Sequence, residues 1–174
     1  PADAGDALVL IDATSGAAGL PLDPAQADVY YFAPQKCFAS EGGIWLALLS
    51  PAAIARIEEL DGAEGRWQPE FLRLSTALDN SRKNQTYNTP SLSTLVSLNV
   101  QVQWLNTNGG LAFAAARTKD SASRIYNWAE ASSFASPVPG ATSRRPRWWV
   151  GRRWRLGSVA ACLVLWGLWP TLFP

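Results

Sequence analysis

Three short apolar runs, each about the length of a β-strand, constrain the fold more than any other feature of the sequence. They are Ala7 to Ile11, Asp28 to Phe32 and Ile44 to Leu49. The first run is continuously apolar, which is typical of a parallel strand covered on both faces. The second is aromatic and is followed by Pro34, which stops a strand. Together they predict an α/β fold with a mostly parallel sheet and flanking helices.

Stretches with helical spacing follow the third run. We predict helices from Pro51 to Leu60, from Pro90 to about Leu105 and from Leu111 to about Ala131. The second of these begins with Thr89 as its N-cap and Pro90 at its first helical position. Between Asp61 and Ser81 we find turn residues and a short amphipathic stretch. We therefore assign no chemistry to that part of the chain.

A lysine, Lys36, stands just past the second predicted strand, and the chain has only three lysines. In open α/β sheets, ligands bind in the crevice beyond the carboxyl ends of the strands. A lysine amine at such a position suits carbonyl chemistry, and pyridoxal phosphate is the commonest cofactor that uses it. The alternative interpretation is a solvated surface lysine.

An aspartate, Asp12, ends the first predicted strand, 24 residues before Lys36. Enzymes that use pyridoxal phosphate need a carboxylate to keep the pyridine nitrogen protonated, because the protonated ring accepts electrons better. The alternative is that Asp12 only caps the following turn, since Asp, Ser and Gly are ordinary turn residues. Taken together, the two residues favour a pyridoxal phosphate site.

Three motifs in order resemble a known family: Ile11 to Gly16, Asp28 to Ser40 and Asn84 to Pro90. They are similar to phosphoserine aminotransferase in its actinobacterial form, a class V, fold-type I aminotransferase. The resemblance extends from about Ala7 to about Pro137. It implies that residues 1–140 form the C-terminal part of a large domain that binds pyridoxal phosphate.

The resemblance also implies which residues contact pyridoxal phosphate: Asp12, Thr14, Gln35, Lys36, Asn88 and Thr89. Lys36 would form the Schiff base and act as acid and base, while Asp12 would pair with the pyridinium nitrogen. Gln35 would contact the cofactor phosphate, with Thr14 as a weaker candidate. Asn88 and Thr89 would reach the phosphate in the neighbouring subunit, which implies a homodimer.

The activity that the resemblance implies is transamination between glutamate and 3-phosphohydroxypyruvate, which gives O-phosphoserine and 2-oxoglutarate. This reaction belongs to serine biosynthesis, with a link to pyridoxine biosynthesis, and implies a cytoplasmic enzyme without a metal or a nucleic-acid partner. An aminotransferase with another acceptor is an open alternative, because the family's His-Arg pair for substrate recognition has no counterpart in a chain without histidine.

The chain contains no methionine and opens directly before a predicted strand. A fold of this family has more strands than the three predicted here. We therefore expect that the upstream half of the enzyme is missing, and that this chain alone is inactive or nearly so.

The composition changes abruptly in residues 141–174. This tail has six arginines, five of the nine tryptophans and no acidic residue, while residues 1–140 carry nine Lys and Arg against 14 Asp and Glu. One interpretation is a non-catalytic truncated protein whose basic tail docks to a membrane, with Leu156 to Phe173 entering it. The other is a frameshifted gene end in GC-rich DNA, which we favour.

Overall fold

The computed structural model describes residues 6–135 and 137. Within them, three strands precede four α-helices: β1 (Leu10–Asp12), β2 (Val29–Phe32), β3 (Leu46–Leu49), α1 (Pro51–Asp61), α2 (Leu74–Arg82), α3 (Leu92–Thr107) and α4 (Gly110–Ala131). Short 3₁₀ turns lie at Pro24–Gln26 and Glu70–Leu72. The predicted α/β fold and its three strands are confirmed.

The described sheet has the strand order β1-β2-β3. Strands β1 and β2 are parallel, with Asp12 opposite Tyr31, and β3 runs antiparallel to β2, with Phe32 opposite Leu46. The apolar run of β3 could not show its direction, because direction is set by pairing and not by composition. The connection that carries Lys36 is consequently a wide loop between two antiparallel neighbours.

Strand β1 is shorter than predicted because the amide of Val9, the residue before the strand, donates to the Asp28 side chain and not to a neighbouring strand. The Val9 amide donates to Asp28 Oδ2 at 2.8 Å, and the Ser50 hydroxyl donates to Asp28 Oδ1 at 2.8 Å. Ser50 is also the N-cap of α1, where its Oγ accepts from the Ala53 amide at 3.1 Å. The Val9 amide, and then the Ser50 hydroxyl, lower the pKa of Asp28. One carboxylate thus joins the starts of both parallel strands to α1.

Helix α1 is confirmed close to its predicted bounds, whereas α2 was not predicted. Ion pairs join these helices: Arg82 Nη2 lies 2.8 Å from Glu58 Oε1, and Arg73 Nη1 lies 3.4 Å from Asp61 Oδ1. Exposed pairs of this kind contribute up to about 1 kcal/mol each. They orient α2 along α1 without forming part of a site.

The predicted start of α3 is wrong by two residues. Its N-cap is Ser91, whose Oγ accepts from the Thr94 amide at 3.4 Å, so neither Thr89 nor Pro90 has the predicted position. The Thr94 side chain is fully buried and its hydroxyl donates to the Gly42 carbonyl at 2.7 Å. The first turn of α3 is thus fixed both by the Ser91 cap and by the contact of Thr94 with Gly42.

Helix α4 packs against α3. The turn between the two helices uses Gly109, with a φ of 109° that is readily adopted only by glycine. The rings of Trp104 and Phe113 meet edge to face with centroids 5.5 Å apart, and the Arg117 guanidinium lies 5.5 Å from the Phe113 centroid. The hairpin of helices supports one side of the loops that follow β1 and β2.

The apolar cluster nearest the sheet is small. Ala13, Ala17 and Tyr30 are buried at its centre, and partly buried side chains including Phe32 and Phe38 pack around them. Ala13 and Ala17 lie in the loop directly after Asp12, and Phe38 lies two residues after Lys36. The core of the described sheet therefore directly supports both loops that carry the candidate site.

The tail of residues 141–174, including its predicted membrane-docking segment, lies outside the described residues. Of the helices that the structure does describe, none is both long and apolar enough to cross a membrane.

Candidate functional site

The parallel pairing of β1 and β2 brings the Asp12 and Lys36 segments to the same edge of the sheet. Asp12 is the last residue of β1, and Lys36 lies in the turn that follows β2. The pairing continues past β1, since the Ala13 amide donates to the Tyr31 carbonyl at 2.8 Å. Both residues therefore lie beyond the carboxyl ends of neighbouring parallel strands, where the sequence predicted them.

The Asp12 carboxylate accepts a hydrogen bond from the turn that follows it. Its Oδ1 accepts from the Thr14 amide at 2.9 Å. The Thr14 hydroxyl, the Thr14 amide and more weakly Tyr31 lower the pKa of Asp12 against the opposing effect of burial. Asp12 is therefore an anion at neutral pH, as a partner of a pyridinium must be.

The same contacts show that Asp12 also caps the turn after β1. An aspartate that accepts the amide two residues ahead forms an Asx turn, and the Thr14 amide has that position. The two interpretations of Asp12 are compatible, because one carboxylate has several acceptor sites. The turn fixes the orientation of the carboxylate that the cofactor would meet.

Thr14 and Tyr31 differ in what the sequence revealed. Thr14 was predicted as a weaker phosphate contact, and in the structure its amide bonds to Asp12 while its hydroxyl lowers the pKa of Asp12. Tyr31 was not predicted as a site residue at all. The pairing register could have indicated Tyr31, since a parallel β1–β2 pair places it opposite Asp12. The pKa of Tyr31 is raised, chiefly by its hydrogen bond to the Asp12 carboxylate.

The loop of residues 33–40, here called the lysine loop, is held at both ends. Pro34 is fully buried, and its carbonyl accepts from the Ser40 amide at 3.1 Å. The Lys36 carbonyl accepts from the Ala39 amide at 2.8 Å, and Ala39 has a left-handed φ of 53°. A left-handed alanine costs about 1–2 kcal/mol, so other contacts must offset this strain. Gln35 is exposed and Lys36 is half-buried.

Two side chains that follow Lys36 supply those contacts. The Cys37 thiol donates to the Ser15 carbonyl at 3.3 Å, which joins the lysine loop to the loop after Asp12. The Phe38 ring stacks on Phe32 with centroids 5.3 Å apart. The residue next to Lys36 and the residue after that are thus both fixed against the sheet side of the site.

The Asn88 and Thr89 segment lies close to the lysine loop but is arranged differently. The Ser40 hydroxyl donates to the Thr94 carbonyl at 3.0 Å, which joins the end of the lysine loop to the first turn of α3. Asn88 and Thr89 precede that turn and are exposed, with the Asn88 carbonyl accepting from the Thr86 hydroxyl. The structure therefore brings the segment beside the loop, with its side chains in solvent.

Similar proteins agree on the family of the chain. The profile of the aminotransferase class-V family matches residues 2–136. A putative phosphoserine aminotransferase from Mycobacterium sp. (strain KMS) is 66% identical over 137 residues, which are 79% of this chain and 37% of that protein. A phosphoserine aminotransferase from Rhodococcus jostii (strain RHA1) is 60% identical over 137 residues, 79% of this chain and 36% of that protein.

Solved structures show the same fold at lower identity. A phosphoserine aminotransferase from Cytophaga hutchinsonii superposes with a TM-score of 0.60 at 23% identity, covering 76% of this chain and 36% of that one. An alanine–glyoxylate aminotransferase from Nostoc sp. has a TM-score of 0.58 at 18% identity, covering 71% of this chain and 33% of that one. The chain thus spans little more than a third of the length of the relatives that it matches, and it belongs to the aminotransferase class-V family of pyridoxal-phosphate enzymes.

Proposed function

We propose that this chain is part of an aminotransferase that moves an amino group from glutamate to 3-phosphohydroxypyruvate, giving O-phosphoserine and 2-oxoglutarate in serine biosynthesis. The observation that carries the proposal is the shared position of Asp12 and Lys36 beyond two parallel strands, with their loops joined by Cys37 and Ser15. The identity to proteins named phosphoserine aminotransferase supports the choice of substrates.

The residues of this edge fit pyridoxal phosphate. Asp12 offers an ionised carboxylate for the pyridine nitrogen, and its turn fixes the orientation of that carboxylate. Lys36 offers an amine from the neighbouring loop. The cofactor would supply an electron-accepting ring and an aldehyde to which the amine adds.

In the proposed reaction Lys36 has two tasks. Its Nζ would hold the cofactor, and the same amine, when free, would take the proton from the α-carbon of the amino donor. Asp12 stays ionised throughout, which its donors Thr14 and Tyr31 favour. Gln35 would contact the cofactor phosphate from the exposed face of the lysine loop.

The proposed enzyme is a cytoplasmic homodimer. Asn88 and Thr89 are exposed beside the first turn of α3, a position that allows them to reach a cofactor phosphate held by a second subunit. Since the chain spans little more than a third of the length of its relatives, we propose that it binds the cofactor weakly and does not complete transamination alone.

Covalent capture of pyridoxal phosphate tests the site directly. The chain would be incubated with pyridoxal phosphate and reduced with borohydride, and the labelled peptides would be mapped by mass spectrometry. We expect label at Lys36 in preference to Lys83 and Lys119, the two other lysines. Lys36→Ala should remove this label, whereas Lys83→Ala and Lys119→Ala should retain it. Equal labelling of all three lysines would contradict the proposed site.

The acceptor is tested separately from the site. In a reconstituted full-length enzyme that contains this chain, 3-phosphohydroxypyruvate should be aminated faster than pyruvate or glyoxylate at equal concentration. Amination of another 2-oxo acid in preference to 3-phosphohydroxypyruvate would leave Lys36 and Asp12 in their roles and replace the proposed substrate.

A further inference from the structure

A glycine at the end of the loop after Asp12 has no room for a side chain. Gly19 is buried, and a Cβ built on it would lie 2.5 Å from Cys37 Sγ and 3.1 Å from Cys37 Cβ. Real Cβ atoms essentially never approach another atom as closely as 2.5 Å. The φ of Gly19 is not positive, unlike that of Gly43 or Gly65. The backbone conformation at position 19 therefore does not require glycine. Glycine is required because a Cβ at this position would collide with Cys37.

The other side of Gly19 is closed by α4. Its Cβ would lie 3.4 Å from the Thr118 hydroxyl oxygen, and Thr118 is buried with its hydroxyl bonded to the Ala114 carbonyl at 3.0 Å. Thr118 thus forms part of a regular helix that cannot yield easily. A side chain at position 19 would have to displace Cys37, which directly follows Lys36.

Cys37 contacts the loop after Asp12, here called the Asp12 loop, at two points. Its side chain packs on Gly19, and its thiol donates to the Ser15 carbonyl at 3.3 Å. Ser15 and Gly19 both lie in the turn of residues 14–19, which begins two residues after Asp12. This contact joins the Asp12 loop to the lysine loop, beside the packing of Phe38 on the cluster that contains Ala13 and Ala17.

We propose that Gly19 and Cys37 are a positioning pair. Because Gly19 has no Cβ, the Cys37 side chain can pack against the Asp12 loop. This packing fixes the distance between Lys36 and Asp12. The pair touches no reacting atom and acts through Lys36. The proposal rests on the proposed function insofar as Lys36 and Asp12 hold pyridoxal phosphate. The packing of Cys37 against Gly19 can be tested without the cofactor.

The test compares Gly19→Ala with Gly42→Ala in a Cys162→Ser background of the 174-residue chain. Gly42 is the matched control, because a Cβ at Gly42 meets nothing within 4 Å and its φ is not positive. The first readout is the reaction rate of the Cys37 thiol with a disulfide reagent. Gly19→Ala should change this rate by about tenfold or more, since displacements of about 1 Å at a site have effects of that order or larger. Gly42→Ala should not change it.

The second readout is borohydride labelling at Lys36 relative to Lys83. Gly19→Ala should lower this ratio by about tenfold, and Gly19→Ala/Cys37→Ala should partly restore it. Recovery should be partial, because Sγ is removed while the 3.1 Å approach to Cys37 Cβ remains. A restored ratio would distinguish positioning from a general loss of fold, which a second substitution would not repair.

Three outcomes would overturn the proposal: an unchanged thiol rate in Gly19→Ala, an equal change in Gly42→Ala, or a double variant that labels no better than Gly19→Ala. If Gly19→Ala does not fold, the proposal is tested with Cys37→Ala alone. Cys37→Ala should lower the labelling at Lys36 relative to Lys83 a few-fold, because the contact with Ser15 is lost. An unchanged labelling ratio would overturn the proposal. If the thiol rate changes as expected but no variant, nor the parent, labels Lys36 selectively, the proposed function fails and the packing of Gly19 on Cys37 stands.

Discussion

The lysine loop and the segment of residues 86–90, here called the Asn–Thr segment, were both predicted to contact pyridoxal phosphate, the first in its own subunit and the second in the neighbouring one, yet the structure holds them very differently. The lysine loop is fixed by buried Pro34, by the Cys37–Ser15 contact and by stacking of Phe38 on Phe32. In the Asn–Thr segment, Thr86 bonds to the Asn88 carbonyl while the side chains of Asn88 and Thr89 are exposed.

The contrast separates two ways of supplying a cofactor contact. A residue that must react needs a fixed position relative to its partner, and the lysine loop is fixed by its own chain. A residue that contacts a ligand of another subunit can stay exposed until that subunit is present. This difference agrees with the proposed homodimer, in which only the Asn–Thr segment serves the neighbouring site.

The largest stability effect should come from Thr94, which joins the two regions. Its buried hydroxyl donates to Gly42 just after the lysine loop, and its amide bonds to the cap of α3 just after the Asn–Thr segment. Removal of such a buried hydrogen bond costs about 1–3 kcal/mol. Thr94→Val should therefore lower the free energy of unfolding by about that amount in urea denaturation.

Thr94→Ser is the control, because it keeps the hydroxyl and loses only a methyl group. It should be closer to the parent chain than Thr94→Val. Equal losses in the two variants would mean that packing of the methyl group, and not the bond to Gly42, joins the lysine loop to α3.

A smaller effect should appear in the titration of Asp12. Its folded pKa is lowered, so the contribution of the carboxylate to stability is present above its unfolded pKa of about 3.9 and is lost as pH falls through the folded pKa. Thr14→Val removes the largest cause and should raise the pKa, measured by NMR of the carboxyl carbon. The stability deficit of Thr14→Val should therefore be seen at pH 7 and diminish below about pH 4.

Tyr31→Phe provides the comparison for Asp12, because the phenol is the weakest of the three donors that lower its pKa. It should raise the pKa of Asp12 less than Thr14→Val does. The reverse order would show that the neighbouring strand, and not the turn after β1, controls the charge of the carboxylate.

The smallest stability effect should come from the Asn–Thr segment itself. Exposed substitutions away from special features usually stay within about 0.5 kcal/mol, and Asn88 and Thr89 are exposed and outside α3. Asn88→Ala and Thr89→Ala should therefore leave the thermal midpoint of the chain almost unchanged. A clear loss of stability in either variant would show that the segment is fixed by its own chain after all, and the contrast with the lysine loop would fail.

The strands of the site were predictable because their patterns are local. The bounds of β2 match its predicted run to within one residue, and the turn after Asp12 follows from Asp, Ser and Gly. The positions of Lys36 and Asp12 beyond neighbouring strands followed from the same runs. Strand β1 was predicted too long because the Val9 amide bonds to a side chain that is 19 residues away in sequence.

The remaining features depend on contacts between distant residues. Helix α2 has few strong helix formers and no side-chain N-cap, and Arg82 pairs it with Glu58 of α1. The start of α3 was predicted at Thr89 and Pro90, whereas Ser91 caps the helix and Thr94 bonds to Gly42, which is 52 residues away in sequence. The close approach of Gly19 to Cys37 has no signature in sequence, since a glycine in a turn is ordinarily explained by its backbone.

The edge position of β1 affects how the isolated chain behaves in solution. Within residues 6–135 and 137, β1 pairs with β2 along one side and has no strand along its other side. Leu10 on this strand is 63% exposed. Bare edges with exposed apolar residues are templates for pairing between molecules and lead to aggregation. Purification of this chain should therefore favour low protein concentration, and light scattering should be checked before any binding measurement is interpreted.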